Sequence, residues 1–300
     1  MIKHEFGGEW TTEKLECLEG YLAAYTKIFR NNPKARYYTT TYVDAFAGTG
    51  YRSHTTENIQ TPLPFMDLDD AEGVAFLKGS ARIALEVEPS FDKFLFLEKN
   101  PLHAQELESL KIEFSQKVTR IQIEQAEANA FLKEWCRKTD WDKNRAVVFL
   151  DPYGMQVDWS LIEAIANTKA IDLWWLFPLG VSIIRMLTKN ELPPDEWAST
   201  LTRTFGTDTW KDEFYPREKV MTLFGEEDQL CRKVEFENVG QFIINRLKTI
   251  FPAVANTPLQ LCNSKNNPLY LLCFAAGNPK GGPTAIRIAN CLLKGKKKRK

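Results

Sequence analysis

The feature that most constrains the fold is a regular alternation of short apolar segments with segments of helical periodicity. Five segments rich in β-branched and aromatic residues are predicted strands: Tyr37–Phe46, Phe91–Leu97, Val118–Ile123, Ala146–Leu150 and Ile171–Phe177. Predicted helices separate them. Strands that alternate with helices build a parallel sheet covered on both faces. The sequence therefore predicts an α/β fold with a doubly wound, mostly parallel, Rossmann-like sheet.

Both ends of this pattern carry additional elements. Residues 1–36 are predicted to form an N-terminal helical extension, with a helix from Thr12 to about Arg30. At the other end, Pro258–Cys262 and Leu269–Ala275 are predicted to form a hairpin. The sheet would then have seven strands within a domain of residues 37–293.

Two insertions and a tail interrupt or follow this domain. Residues 51–79 are polar and irregular, and we expect them to form a lid-like insertion. Residues 188–232 are predicted to be a mostly helical insertion. Residues 294–300, KGKKKRK, form a basic tail that either binds phosphates or is simply a solvated terminus.

The composition excludes several classes of protein. The 19 Phe, 8 Trp and 9 Tyr provide apolar surface that a fully disordered chain lacks. No apolar run approaches the roughly 20 residues that a membrane span needs. The six cysteines form no CxxC pair, which argues against a disulfide framework, an iron–sulfur site or a zinc site. We expect a cytoplasmic protein with no metal and no membrane contact.

The first candidate ligand site is YVDAFAGTG, at residues 42–50. Its glycines follow the first predicted strand, where the backbone can approach a ligand closely. The loop lacks the G-x-G-x-x-G pattern of dinucleotide sites, and Asp44 at the strand end would repel a pyrophosphate. An acid there suits a cationic ligand such as S-adenosylmethionine. The other interpretation is a tight turn with no ligand.

Acidic residues also follow the second and third predicted strands. Glu98, before Lys99, can accept hydrogen bonds from both hydroxyls of a ribose. Glu127 and Asn129 could hold an adenine amino group. Without the other motifs, however, we would interpret Glu127 as an acid that complements a helix N-terminus.

The fourth strand ends in FLDPYG, at residues 149–154. Asp151 and the carbonyl of Pro152 can both accept hydrogen bonds from one exocyclic amino group, and Tyr153 can stack on a base. An ordinary Asp-Pro turn is the simpler interpretation. Four such motifs in order, each after a predicted strand, favour a ligand site.

Taken in order, YVDAFAGTG, FLFLEKN, EAN and FLDPYG look like the motifs of a class I S-adenosylmethionine-dependent methyltransferase. DPYG resembles the D/N-P-P-Y/F motif of enzymes that methylate amino groups of nucleobases. Across residues 10 to 293 the chain more closely resembles the three-Cys-motif partner (TcmP) family, through segments such as EKLECLEGYLAAY, FLDPYGMQVDW and LWWLFPLG. That resemblance implies a predicted methyltransferase associated with a radical-SAM-like protein that bears a three-cysteine motif.

The resulting hypothesis is methyl transfer from S-adenosylmethionine to an exocyclic amino group of a nucleobase in DNA or RNA, so nucleic acid is a candidate partner. The predicted catalytic residues are Asp151, Pro152 and Tyr153. The predicted cofactor-binding residues are Asp44, Phe46, Ala47, Gly48, Gly50, Glu98, Lys99, Glu127 and Asn129. The alternative is a non-catalytic partner or scaffold with the same fold that serves a three-cysteine, radical-SAM-like protein, because a fold does not fix a function.

Overall fold

The computed structural model describes residues 9–48, 79–189, 191–222, 225–230 and 232–294. The strands of the main sheet are β1 (Thr39–Asp44), β2 (Lys93–Glu98), β3 (Ile121–Gln125), β4 (Asn144–Leu150), β5 (Ile171–Phe177), β8 (Ala253–Val254), β9 (Leu259–Cys262) and β10 (Pro268–Ala276), while β6 (Arg217–Thr222) and β7 (Gly225–Leu230) form a separate pair. The strand order of the main sheet is β3-β2-β1-β4-β5-β10-β8, and β9 also pairs with β10. Strands β1 to β5 run parallel, and β10 is antiparallel to β5. The predicted fold class is confirmed.

Helices cover both faces of this sheet. They are α1 (Glu9–Asn31), α2 (Ser80–Glu86), α3 (Pro101–Glu113), α4 (Ala128–Lys138), α5 (Trp159–Asn167), α6 (Asp195–Phe205), α7 (Trp210–Phe214), α8 (Phe236–Lys248) and α9 (Gly282–Leu293). A 3-10 helix spans Ser115–Arg120, and a π-helix, Leu179–Ile183, continues into one α-helical turn, Ile184–Met186. None of the described helices is long and apolar enough to cross a membrane.

Alternate residues of the central strands supply two separate cores. Val43, Leu95 and Val148 pack on one face with residues of α4, α5, α6 and α8. Tyr42 and Phe149 pack on the opposite face with residues of α1, α2, α3 and α9. Successive side chains of a strand point to opposite faces, so strands buried on both sides are apolar throughout. This explains the short continuous apolar runs in the sequence.

The predicted C-terminal hairpin is present, with one addition. β9 pairs with β10 in antiparallel register, Leu272 opposite Leu259, as the sequence predicts. The two-residue strand β8 pairs with the same edge of β10 further along, Ala275 opposite Val254. A strand of two residues carries no detectable period, so the sequence pattern could not predict it.

Several predicted boundaries differ from the structure. α1 begins at Glu9 rather than Thr12, and Gly79 occupies the N-cap of α2. β3 begins at Ile121, because the residues before it form the 3-10 helix. The insertion at 188–232 contains α6 and α7, and it also holds an antiparallel pair, β6 (Arg217–Thr222) and β7 (Gly225–Leu230), which the sequence analysis did not predict.

Candidate active site

Three acidic residues lie at the carboxyl ends of three neighbouring strands. Asp44 is the last residue of β1 and is paired in register with Phe96 of β2 and Phe149 of β4. Glu98 and Asp151 each follow those partners by two residues. Ligands of open α/β sheets bind at this edge. The strand register therefore brings the first, second and fourth motifs to one edge of the sheet.

Asp44 is fully buried and held by three donors. Ser80 Oγ donates to its Oδ2 at 2.5 Å, Tyr42 Oη at 3.3 Å, and the backbone N–H of Phe46 donates to Oδ1 at 3.3 Å. Burial raises the pKa of Asp44 to about 7, and the nearby Asp151 carboxyl also raises it, against these hydrogen bonds. A buried carboxyl of this kind favours a cationic ligand, because the ligand's charge would stabilise the ionised form.

The turn after β1 is tied directly to the end of β2. Gly48 has φ +59°, a left-handed conformation that favours glycine, and its N–H donates to Glu98 Oε2 at 3.0 Å. The other oxygen, Glu98 Oε1, accepts from Asn100 N at 2.8 Å. Each oxygen of a carboxylate can accept more than one hydrogen bond. The half-buried Glu98 can therefore hold this turn and still accept from the hydroxyls of a ribose.

The remaining cofactor-binding candidates around this turn differ in exposure. Ala47 is buried, and its N–H extends the sheet ladder to the carbonyl of Leu97 at 2.9 Å. Phe46 is half-buried against the core, and Lys99 is exposed. Gly50 and residues 51–78 of the proposed lid lie outside the described residues.

Glu127 and Asn129 have clear structural partners in the third motif. Glu127 is the N-cap of α4, and it accepts from the N–H groups of Asn129 at 2.9 Å and Ala130 at 2.8 Å. Partial burial opposes ionisation, but these hydrogen bonds together hold the pKa of Glu127 below its usual value. Glu127 thus acts as a cap at the N-terminus of α4, which is the simpler of its two interpretations from the sequence. Its exposed carboxylate accepts hydrogen bonds from backbone N–H groups of the helix.

Asn129 joins α4 to the loop after the fourth motif. Its Nδ2 donates to the carbonyl of Gln156 at 2.8 Å, and its Oδ1 accepts from the N–H of Asp158 at 2.9 Å. Nδ2 also donates to Glu127 Oε1 at 2.7 Å. The side chain is buried, and both ends of its amide are engaged within the protein. Asn129 therefore positions the loop that follows Asp151.

Asp151 forms a buried ion pair with α1. Lys14 Nζ lies 2.9 Å from Asp151 Oδ2, and the two side chains are 0% and 4% exposed. Burial lowers the pKa of Lys14 to about 8, although the carboxylates of Asp151 and Asp44 oppose this. Burial likewise raises the pKa of Asp151 above its usual value, and the Lys14 ammonium opposes that. Lys14, Asp44 and Asp151 therefore form one cluster, called here the charge cluster.

Exposure increases along the turn that begins at Asp151. Pro152 is buried, Tyr153 and Gly154 are half-buried, and Gln156 is exposed. Gly154 has φ +73°, and a Cβ there would lie 3.5 Å from Ser182 Oγ of the π-helix. π-helical turns are frequent at functional sites. The DPYG turn and the π-helix after β5 thus face each other beside the charge cluster.

Lys14 and Ser80 contact the acids of the site but are not among the site residues predicted from the sequence. The burial of Lys14 could have been inferred from its position on the apolar stripe of α1. It lies four residues before Leu18 and seven before Tyr21, both of which are buried. A lysine on such a stripe is rarely buried without a partner. Asp151 is that partner because it follows Phe149 by two residues and so faces α1.

Comparisons with known proteins give weak similarity. No protein-family model and no curated protein matches the sequence, so membership of the TcmP family stays a prediction. A Legionella pneumophila protein of the DUF519 family is similar in structure, with a TM-score of 0.48 and 12% identity over 97% of this chain and 93% of that one.

Two other solved structures show similarity at lower TM-scores. Spermidine synthase from Thermotoga maritima gives 0.38 with 9% identity, covering 90% of this chain and 60% of that one. A putative S-adenosylmethionine-dependent methyltransferase from Listeria monocytogenes gives 0.33 with 11% identity, covering 85% and 96%. Since all three TM-scores are below 0.5, activity and substrate have to be argued from the residues of the site.

Proposed function

We propose that the protein is an S-adenosylmethionine-dependent methyltransferase that acts on an exocyclic amino group of a nucleobase. The observation that carries this proposal is the charge cluster at the carboxyl edge of the sheet. It holds two carboxyl groups, Asp44 and Asp151, against one ammonium, Lys14. When all three are ionised, one negative charge has no counterpart among them, and a cationic cofactor would supply it.

The residues around the charge cluster fit the rest of such a cofactor. Glu98 lies beside the left-handed turn at Gly48 and offers acceptor oxygens for ribose hydroxyls. Gly48 has no side chain, which permits a ligand to come close to the backbone of this turn. The bound cofactor supplies an electrophilic methyl group on a sulfonium. The protein's own contribution is then binding, orientation and electrostatics.

Asp151 would act on the acceptor. Its carboxylate would accept a hydrogen bond from the amino group and aim the nitrogen lone pair at the methyl carbon. A nitrogen–carbon bond forms as the carbon–sulfur bond breaks, and sulfur keeps the electron pair. The amino nitrogen then releases one proton to solvent. Tyr153, half-buried in the same turn, would stack on the ring that bears the amino group.

The non-catalytic scaffold remains a second candidate because of one specific observation. Asp151 is nearly inaccessible, and Lys14 already bonds its Oδ2. A protein that uses this fold only for docking would have no need of an accessible carboxylate at this position. The two candidates make different predictions for cofactor binding and for methyl transfer.

Calorimetric titration with S-adenosylmethionine and S-adenosylhomocysteine tests the cofactor site. We expect micromolar binding of S-adenosylmethionine, lost in Asp44→Asn and weakened at least tenfold in Glu98→Gln. Glu106→Gln, an exposed glutamate on α3, is the matched control and should bind normally. Absence of binding to the pure protein would contradict the cofactor assignment.

A transfer assay tests the reaction. Methyl-labelled S-adenosylmethionine is incubated with single-stranded DNA and RNA oligonucleotides of mixed sequence, and the product nucleosides are identified. The proposal predicts an N-methylated base that disappears in Asp151→Asn, while that variant still binds S-adenosylmethionine. Cofactor binding without transfer to either probe would favour the scaffold.

A further inference from the structure

Helix α1 lies outside the β-α pattern that forms the sheet, yet it contributes to the proposed site. Its buried stripe packs on α9, α2 and the sheet face that carries Tyr42 and Phe149. Within that stripe Lys14 is fully buried, and its Nζ reaches Asp151 at 2.9 Å. A buried lysine is costly, and an apolar residue at this position would remove that cost. Its presence calls for a functional explanation.

Among the described residues, two aromatic rings lie close to Lys14 beside the acids of the charge cluster. Its Nζ lies 5.6 Å from the ring centroid of Phe149 and 5.9 Å from that of Trp10. Asp44 faces it from β1 and Asp151 from the end of β4, and Tyr42 reaches Asp44 from the same strand. A carboxyl group in such surroundings stays ionised only with a cation beside it.

We propose that Lys14 is a positioning residue for the methyl transfer proposed above: it holds Asp151 as a carboxylate through Oδ2 and so presents Oδ1 to the acceptor amino group. A protonated Asp151 would offer an O–H to the acceptor nitrogen and occupy the lone pair that must attack the methyl carbon. Lys14 keeps the carboxyl in the form that can only accept hydrogen bonds. This inference rests on the proposed function, but its first test does not.

The first test measures the charge of Asp151 without cofactor or acceptor. Asp151 is followed by NMR of aspartate labelled at 13Cγ, and its signal is assigned by its loss in Asp151→Asn. In the native protein we expect the signal of a carboxylate from pH 5.5 to 8. In Lys14→Met the midpoint should rise by at least one pH unit, whereas Lys27→Met, an exposed lysine on the same helix, should leave it unchanged.

An unchanged midpoint in Lys14→Met would overturn the proposal. If that variant does not fold, Lys14→Gln is measured instead, because its amide can still donate to Asp151 but carries no charge. We expect the titration midpoint of Asp151 to rise in Lys14→Gln as it does in Lys14→Met. An unchanged midpoint in Lys14→Gln would likewise overturn the proposal.

The second test separates positioning from a purely structural role. Lys14→Met should lower methyl transfer to the active oligonucleotide at least 100-fold, with the dissociation constant of S-adenosylmethionine changed less than threefold. The double variant Lys14→Met/Asp151→Asn should recover the melting temperature but not the transfer. Recovery of transfer as well would contradict the role of Asp151 in the reaction. Unchanged transfer in Lys14→Met would mean that the ion pair serves stability alone. Failure of the native protein to bind S-adenosylmethionine would refute the proposed function and leave the NMR result standing.

Discussion

At the scale of single residues, the site is dominated by carboxyl groups held away from water. Asp44 is the clearest case, since it is fully buried and accepts hydrogen bonds from Ser80, Tyr42 and the backbone of Phe46. Its position in β1 places it there, because alternate residues of a strand point to the same face of the sheet, so residue 44 shares a buried face with Tyr42. Because burial raises the pKa of Asp44 to about 7, the proposed cofactor binding should depend on pH.

We predict that the affinity for S-adenosylmethionine rises with pH and levels off about one pH unit above the raised pKa of Asp44. The pKa of Asp44 is raised to about 7 in the free protein, and only the ionised carboxyl attracts a cation. At pH 6 the affinity should be roughly tenfold below its plateau, since each pH unit below a pKa lowers the ionised fraction about tenfold. Titration calorimetry from pH 5.5 to about one pH unit above that pKa measures this.

Glu98→Gln provides the control for that pH dependence. It should weaken binding at every pH but keep the same slope, because its contacts are to the turn at Gly48 and not to Asp44. A flat affinity profile for the native protein would show that Asp44 does not meet the cofactor's charge.

At the scale of elements, the site depends on close contacts between segments that are distant in sequence. The π-helix after β5 packs on the start of β10 through Gly180, where a Cβ would collide with the carbonyl oxygen of Pro268. Asn129 ties the N-terminus of α4 to the loop after Asp151. These contacts set the positions of the turns between which an acceptor would bind.

Gly180→Ala should therefore destabilise the protein by about 1–3 kcal/mol, the usual cost of overpacking. The added methyl group meets backbone rather than a movable side chain, so the π-helix has to shift. Gly281→Ala is a suitable control, because its Cβ would have its nearest neighbour at 3.6 Å and its φ is ordinary. Urea unfolding of both variants gives the comparison, and equal stabilities would contradict the packing argument.

At the scale of the whole molecule, buried acids on one face of the sheet influence stability. Asp44 lies at one end of this face, and Asp172 of β5 accepts from Tyr21 of α1 at 2.7 Å. Burial raises the pKa of Asp172 to about 7, against the hydrogen bond from Tyr21 and the charge of Arg145. Both carboxyls are therefore protonated more readily in the folded than in the unfolded chain.

The protein should consequently melt at a higher temperature at pH 5.5 than at pH 8. Between about pH 4 and pH 7 the folded state binds more protons than the unfolded state, so the free energy of unfolding falls as pH rises through this window. Calorimetric melting at constant ionic strength measures the effect. Asp44→Asn/Asp172→Asn should flatten the profile, and a native protein that is more stable at pH 8 would contradict the assignment.

The sequence by itself determined the α/β class, because apolar runs of strand length alternating with helices fit little other than a parallel sheet. It also placed Asp44, Glu98 and Asp151 at strand ends, since this depends only on local pattern. The pair β6–β7 and the two-residue β8 could not be predicted, because their sequences show no alternation of apolar and polar residues typical of a strand. The partner of Asp151 could not be inferred locally either. Lys14 lies 137 residues away from it, and only the packing of α1 on the Phe149 face brings the two together.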